Sequence, residues 1–61
     1  MPTDETRRLL RLFGMAVTNY EDAVNSGAPP EKLRETESEA RSHLKEIEAL
    51  MDRLSTAAKK T

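Results

Sequence analysis

Residues 25–30, with the sequence NSGAPP, constrain the fold of this chain more than any other segment. Gly27 is the residue type that most readily ends a helix in the left-handed conformation. Pro29 and Pro30 lack a backbone N–H, and the first turn of a helix is the place where that donor is not needed. The segment predicts the end of one helix, a turn at 26–30 and the start of a second helix. A connection this short returns the second helix antiparallel to the first.

The residues before the turn carry apolar side chains at the spacing of packed helices, with further apolar positions on both flanks. They cover an arc of about 160°, which is wider than one neighbouring helix requires. We therefore expect a helix over about 4–26, started by Thr3 or Asp4 as its cap, with apolar surface for at least two partners. The predicted interface consists of Leu9, Leu10, Leu12, Phe13, Ala16, Val17, Tyr20, Ala23 and Val24.

The residues after the turn predict a second helix over about 30–58 with a narrower apolar stripe. Thr36 and Glu37 interrupt this stripe near the turn, and residues 56–61 are expected to fray. One stripe is enough for one neighbouring helix. The predicted hairpin core consists of Leu33, Ala40, Leu44, Ile47, Met51 and Leu54.

The small size of the chain favours self-association. It has 61 residues and no cysteine. Below roughly 70–80 residues a single core rarely contributes more than about 3–5 kcal/mol, so small chains use disulfides, metals or oligomerisation. The sequence therefore predicts an all-α fold: an antiparallel two-helix hairpin over residues 1–61, paired with a second copy as a homodimeric four-helix bundle. Gly14 lies beside the exposed flank of the first helix, where it either allows close approach or is a neutral residue.

Charge is balanced overall but uneven along the chain. Charged residues make up 34% of the sequence and the net charge is −1, which argues against a general nucleic-acid binder. Residues 21–41 hold six acidic and three basic side chains, so the turn end is negative. Two hairpins in opposite orientation would place acidic ends beside basic ends; the alternative is that these charges are simply solvated. No apolar run approaches the ~20 residues that span a bilayer, and the acidic start lacks the order of a secretory signal, so a cytoplasmic protein is expected.

Two groups of residues are candidates for chemistry. His43 lies on one helix with Glu39 and Glu46, but di-metal bundles need further carboxylates from other helices, so a boundary histidine with a charged neighbour is the preferred interpretation. With no cysteine and no glycine-rich loop, we expect no catalytic residue, no metal and no cofactor. The possible anion contacts are Arg7, Arg8 and Arg11, for which pairing between the helices is the preferred role.

A glycine-containing turn between two heptad-patterned helices in a chain of this length resembles two groups of small bacterial proteins. One comprises plasmid copy-number regulators that dimerise into four-helix bundles. The other comprises two-helix co-chaperones of type III secretion needle subunits. The resemblance covers length, turn and heptads, and it implies a hairpin that works by binding protein.

The leading functional hypothesis is a non-enzymatic regulator, adaptor or chaperone-like inhibitor that acts as a homodimeric bundle. The alternative is an obligate subunit or co-chaperone that binds a different protein through the apolar face of the first helix. A third hypothesis is a nucleic-acid-binding regulator that uses the arginine-rich end.

Overall fold

The computed structural model describes residues 3–59, which form two helices and no strand. The helices are α1 (Asp4–Asn25) and α2 (Pro30–Lys59), and they pack on each other as an antiparallel hairpin 49 Å long. The predicted all-α antiparallel hairpin is confirmed, whereas its pairing with a second copy stays a prediction. Each predicted helix differs from the observed one by a single residue at its C-terminal end. α2 continues as helix over residues 56–59, where the tail was expected to fray. Residues 60–61 of that tail lie outside the described residues.

The C-terminal end of α1 is closed by a left-handed glycine. Gly27 has a φ of 69°, the only positive φ among the described residues. The N–H of Ala28 donates to the carbonyl of Ala23 at 3.0 Å, and the N–H of Gly27 donates to the carbonyl of Val24 at 3.2 Å. This pair of bonds is the Schellman motif, which satisfies carbonyls that the helix itself leaves unpaired. The local signal that predicted the turn therefore acts as expected.

The two ends where the helices begin are capped differently. Pro29 accepts, through its carbonyl, the N–H groups of Lys32 and Leu33 at 3.0 and 3.1 Å, so α2 starts at once after the turn. At the start of α1 the hydroxyl of Thr3 accepts the N–H of Thr6 at 3.1 Å. Of the two caps that the sequence allowed, Thr3 is the one used. Such a side chain typically contributes about 1 kcal/mol to helix stability.

Small side chains fill the contact between the helices near the turn. Ala16, Ala23, Thr36 and Ala40 are all buried there. The hydroxyl of Thr36 donates to carbonyls of its own helix, at 2.9 and 3.2 Å, so it needs no partner from α1. Small residues allow two helices to approach closely. This half of the hairpin therefore gains stability from close backbone packing rather than from large buried side chains.

Larger side chains form the contact towards the open end. Leu9 is buried in α1 and Leu50 in α2. Leu12 and Ile47 are half-buried beside them. Leu9, Ala16 and Ala23 are thus enclosed by the hairpin itself. These three residues of the predicted interface therefore contribute to the contact with α2 in the hairpin, and the interface with a second chain stays a prediction.

The predicted hairpin core of α2 needs correction. Leu44, Met51 and Leu54 are 39%, 62% and 58% exposed, so the prediction that they are core residues is wrong for the hairpin. Instead α2 turns the face with Thr36 and His43 towards α1. At about 1.5 Å per residue, the 22 residues of α1 extend about 33 Å and the 30 residues of α2 about 45 Å. Leu54 lies near the start of the shorter helix and is left uncovered.

Candidate protein-interaction surface

One side of α1 carries an apolar stripe that α2 does not cover. Its residues are spaced three, four, three and four, the repeat of a helix that packs against another helix. Leu10, Val17 and Val24 are 55%, 40% and 51% exposed, whereas Phe13 and Tyr20 are half-buried at the boundary with α2. We call these five residues the α1 stripe: Leu10, Phe13, Val17, Tyr20 and Val24.

α2 contributes to the same side of the hairpin. Phe13 and Tyr20 line a shallow, almost wholly apolar depression together with Ala40 and Leu44 of α2. Met51 follows Leu44 by seven residues and so projects from the same side of α2. The α1 stripe, Leu44 and Met51 together form what we call the apolar face. The sequence left open which flank of the first helix stays uncovered, and the structure shows that it is the flank with Leu10, Val17 and Val24.

The two helices differ in how apolar their outward positions are. Beside Leu44, α2 presents Glu37, Arg41 and Glu48. Arg41 donates from Nε to a carboxylate oxygen of Glu37 at 2.8 Å, with both side chains well exposed. An exposed pair of this kind contributes only about 0.3–0.5 kcal/mol. The apolar part of the face therefore belongs mainly to α1, with charged side chains along its α2 border.

The opposite side of the hairpin is polar. A groove between the helices near the turn is lined by Asn19, Asp22, Lys32, Glu35 and Glu39, among others. Carboxylates and amides in an open groove stay hydrated. Within residues 3–59, only the side with the α1 stripe combines exposed apolar side chains from both helices.

Gly14 lies beside the α1 stripe, and nothing in the hairpin requires a glycine there. A Cβ built at this position meets no atom within 4 Å, and its φ is not in the left-handed region. The carbonyl of Gly14 accepts the hydroxyl of Thr18 at 2.8 Å within the helix. A glycine in a helix interior costs about 1 kcal/mol relative to alanine. The hairpin alone offers no compensation for this cost.

His43 lies at the edge of the contact between the helices. Its Nδ1 is 2.9 Å from a carboxylate oxygen of Glu46, and 19% of the side chain is exposed. Glu39 lines the polar groove. Within residues 3–59 no group of three histidine or carboxylate side chains could hold a metal ion. The histidine is therefore at the edge of the helix contact with one charged neighbour, as the sequence indicated.

The arginine-rich end provides little pairing between the helices. The ion pair that joins the two helices there is formed by Arg53 and Glu5, at 3.0 Å. Arg7, Arg8 and Arg11 are exposed on α1. Their preferred role in pairing between the helices is taken by Arg53 instead. Across residues 3–59 neither helix contains a stretch long and apolar enough to cross a membrane.

Comparisons with known proteins give no relative from which a function could be transferred. No family model matches the chain, and no similar protein is found among the curated proteins or the solved structures. The functional argument therefore depends on the apolar face and its surroundings.

Proposed function

We propose that this chain is a small non-enzymatic protein-interaction module whose binding surface is the apolar face, and that its first partner is a second copy of itself. The observation that carries the proposal is the exposure of Leu10, Val17 and Val24 in one continuous stripe. A contiguous apolar patch on a protein surface that faces water usually marks an interaction site. Packing two such faces together produces a four-helix bundle.

The limited burial within the hairpin supports this proposal. Among the described residues no large side chain is fully buried, and Leu9 and Leu50 are the only buried leucines. A two-helix hairpin cannot surround any side chain, because each helix has only one neighbour. A second hairpin placed on the apolar face would give each helix two neighbours and would bury Phe13 and Tyr20 from both sides. That added burial stabilises the chain at about 25 cal/mol per Å² of apolar surface.

The size of the face also suits a second copy. The hairpin is 18 Å wide across its two helices. Over the roughly 33 Å that α1 and α2 share, this gives a flat area of about 600 Å². Because side chains protrude from this flat area, the accessible surface of the face is larger than about 600 Å². It approaches the roughly 800 Å² that each partner contributes to a standard protein interface.

The proposed biological role is that of a regulator, adaptor or chaperone-like inhibitor. A module without a deep cleft acts by presenting or occupying a surface. The cytoplasmic location expected from the sequence stays a prediction. The alternative is that a different protein binds the apolar face, and that the hairpin is an obligate subunit of that complex.

A pair of charge insertions tests the surface. Val17→Glu places a carboxylate in the centre of the α1 stripe, and Met15→Glu makes a similar change on the other side of α1, where Met15 is 58% exposed. We expect the wild-type chain and Met15→Glu to sediment as dimers in analytical ultracentrifugation at micromolar concentration. Val17→Glu should sediment as a monomer with lower helicity, because a buried unpaired carboxylate costs several kcal/mol.

The outcomes separate the proposal from its alternatives. A wild-type chain that is fully helical and monomeric at these concentrations would exclude the homodimer. Loss of the dimer in Met15→Glu but not in Val17→Glu would contradict the proposal. It would show that the interface lies on the side of α1 that bears Met15. A poorly helical wild-type monomer that becomes helical with a specific different protein would favour the obligate-subunit alternative.

A further inference from the structure

The unequal composition of the apolar face determines how a second copy can lie on it. The outward stripe of α1 is formed by Leu10, Val17 and Val24, which are exposed in the hairpin. The outward positions at the corresponding border of α2 are Glu37, Arg41 and Glu48. The apolar surface is thus continuous along α1, whereas along α2 charged side chains alternate with Leu44 and Met51.

Two hairpins can meet face to face in two symmetric arrangements. If the two-fold axis runs along the helices, the turns lie at the same end and α1 packs over α2 of the second copy. That arrangement places part of the α1 stripe on Glu37, Arg41 and Glu48, which would lose water without gaining a partner. If the axis runs across the helices, the turns lie at opposite ends. In that case α1 packs over α1 and α2 over α2.

We propose that two copies pair with their turns at opposite ends, with α1 antiparallel to α1 of the second copy and the two-fold axis passing between Gly14 and Val17. This inference rests on the proposed function, since it specifies the geometry of that dimer. Apolar side chains then meet apolar side chains along α1. The charged positions of α2 meet each other at the border, where they stay partly hydrated.

The charges at the edge of the α1 stripe fit this arrangement. Arg7 and Glu21 lie two heptads apart on the same edge, one towards each end of α1. With the axis between Gly14 and Val17, each Arg7 comes within about one helical turn of Glu21 of the second copy. Complementary charges at a rim fix orientation more than they add affinity.

The charge of the two ends favours the same orientation over longer distances. Residues 21–41, at the turn end, hold six acidic and three basic side chains. The open end, formed by residues 3–20 and 42–59, holds five acidic and six basic side chains. Opposite orientation sets the negative turn end beside a nearly neutral end, whereas equal orientation sets two negative turn ends together.

Gly14 gains a role in this dimer that it lacks in the hairpin. It lies beside the axis, at the point where the two α1 helices cross. A Cβ at this position has no neighbour within 4 Å in a single hairpin, so the open space is available to the second copy. A missing side chain at a helix crossing allows the backbones to approach closely.

Distances between spin labels test the orientation directly. The chain has no cysteine, so a single introduced cysteine gives one label per copy. Thr18→Cys and Asn25→Cys form a matched pair, because the two positions are seven residues apart on one exposed column of α1, outside the α1 stripe. In the proposed dimer the labels are separated along the axis by about 8 Å at position 18 and about 28 Å at position 25.

The distances are measured by pulsed electron paramagnetic resonance on samples that sediment as dimers. We expect the distance between the two labels at position 25 to exceed the distance at position 18 by more than about 10 Å. Equal distances at the two positions in a dimer would overturn the proposed orientation while leaving the dimer itself intact. Sedimentation of the labelled chains as helical monomers, with the unlabelled chain also monomeric, would overturn the proposed function and the orientation together.

Discussion

Replacing Leu50 with alanine tests the contact between α2 and α1 near the open end of the hairpin. Leu50 is 9% exposed in the contact, whereas Leu54, one turn later, is 58% exposed. Truncating a buried leucine to alanine costs about 2–5 kcal/mol, the lower end applying where the surroundings can relax. In a two-helix contact we expect about 2–3 kcal/mol for Leu50→Ala. For Leu54→Ala we expect less than about 1 kcal/mol, because that side chain is already largely in water.

The measurement is urea denaturation followed by far-UV circular dichroism, with both variants and the wild type at one chain concentration. Equal concentration matters because dimerisation makes apparent stability depend on it. A chain of this size has only about 3–5 kcal/mol to lose, so Leu50→Ala should be partly unfolded before urea is added. Similar losses for the two variants, or a larger loss for Leu54→Ala, would refute the observed helix contact. They would restore the core predicted from the apolar pattern alone.

Three further substitutions test the ends of the helices and the contact near the turn. Gly27→Ala should lower the free energy of unfolding by about 1 kcal/mol, because a φ of 69° disfavours a Cβ; an unchanged melting temperature would contradict the left-handed turn. Thr3→Ala should cost about 0.5–1 kcal/mol through the lost cap, while Thr3→Ser should restore it in the same thermal melts. Thr36→Val should leave stability unchanged or slightly higher in urea denaturation, since its hydroxyl bonds only to its own helix; a loss above about 1 kcal/mol would indicate a missing partner.

The hairpin and its turn could be predicted from the sequence because their causes are local. Gly27 ends α1 through its own backbone freedom. Pro30 is the first residue of α2, where a proline is tolerated, and Pro29 directly precedes it. These effects act within a few residues and do not depend on the rest of the chain. The end of α1 and the start of α2 follow directly from them.

The face of α2 that meets α1 could not be predicted in the same way. Counting apolar residues favoured Leu44, Met51 and Leu54, whereas the structure buries Thr36 and half-buries His43. A threonine whose hydroxyl bonds within its own helix behaves as a small apolar residue in a tight contact. That property depends on local hydrogen bonding, which a pattern of residue types does not show.

The rotation of α2 explains why the exposed apolar surface is concentrated on one face. Because α2 packs with its small residues against Ala16 and Ala23, its larger side chains Leu44 and Met51 are left at the border of the contact. They fall on the side where the α1 stripe is also exposed, so the two helices leave their unused apolar surface together. A hairpin that packed its largest side chains inside would be more stable as a monomer and would expose less apolar surface to a partner. This one has the opposite distribution, which is the arrangement expected of a chain whose stability is completed by a partner.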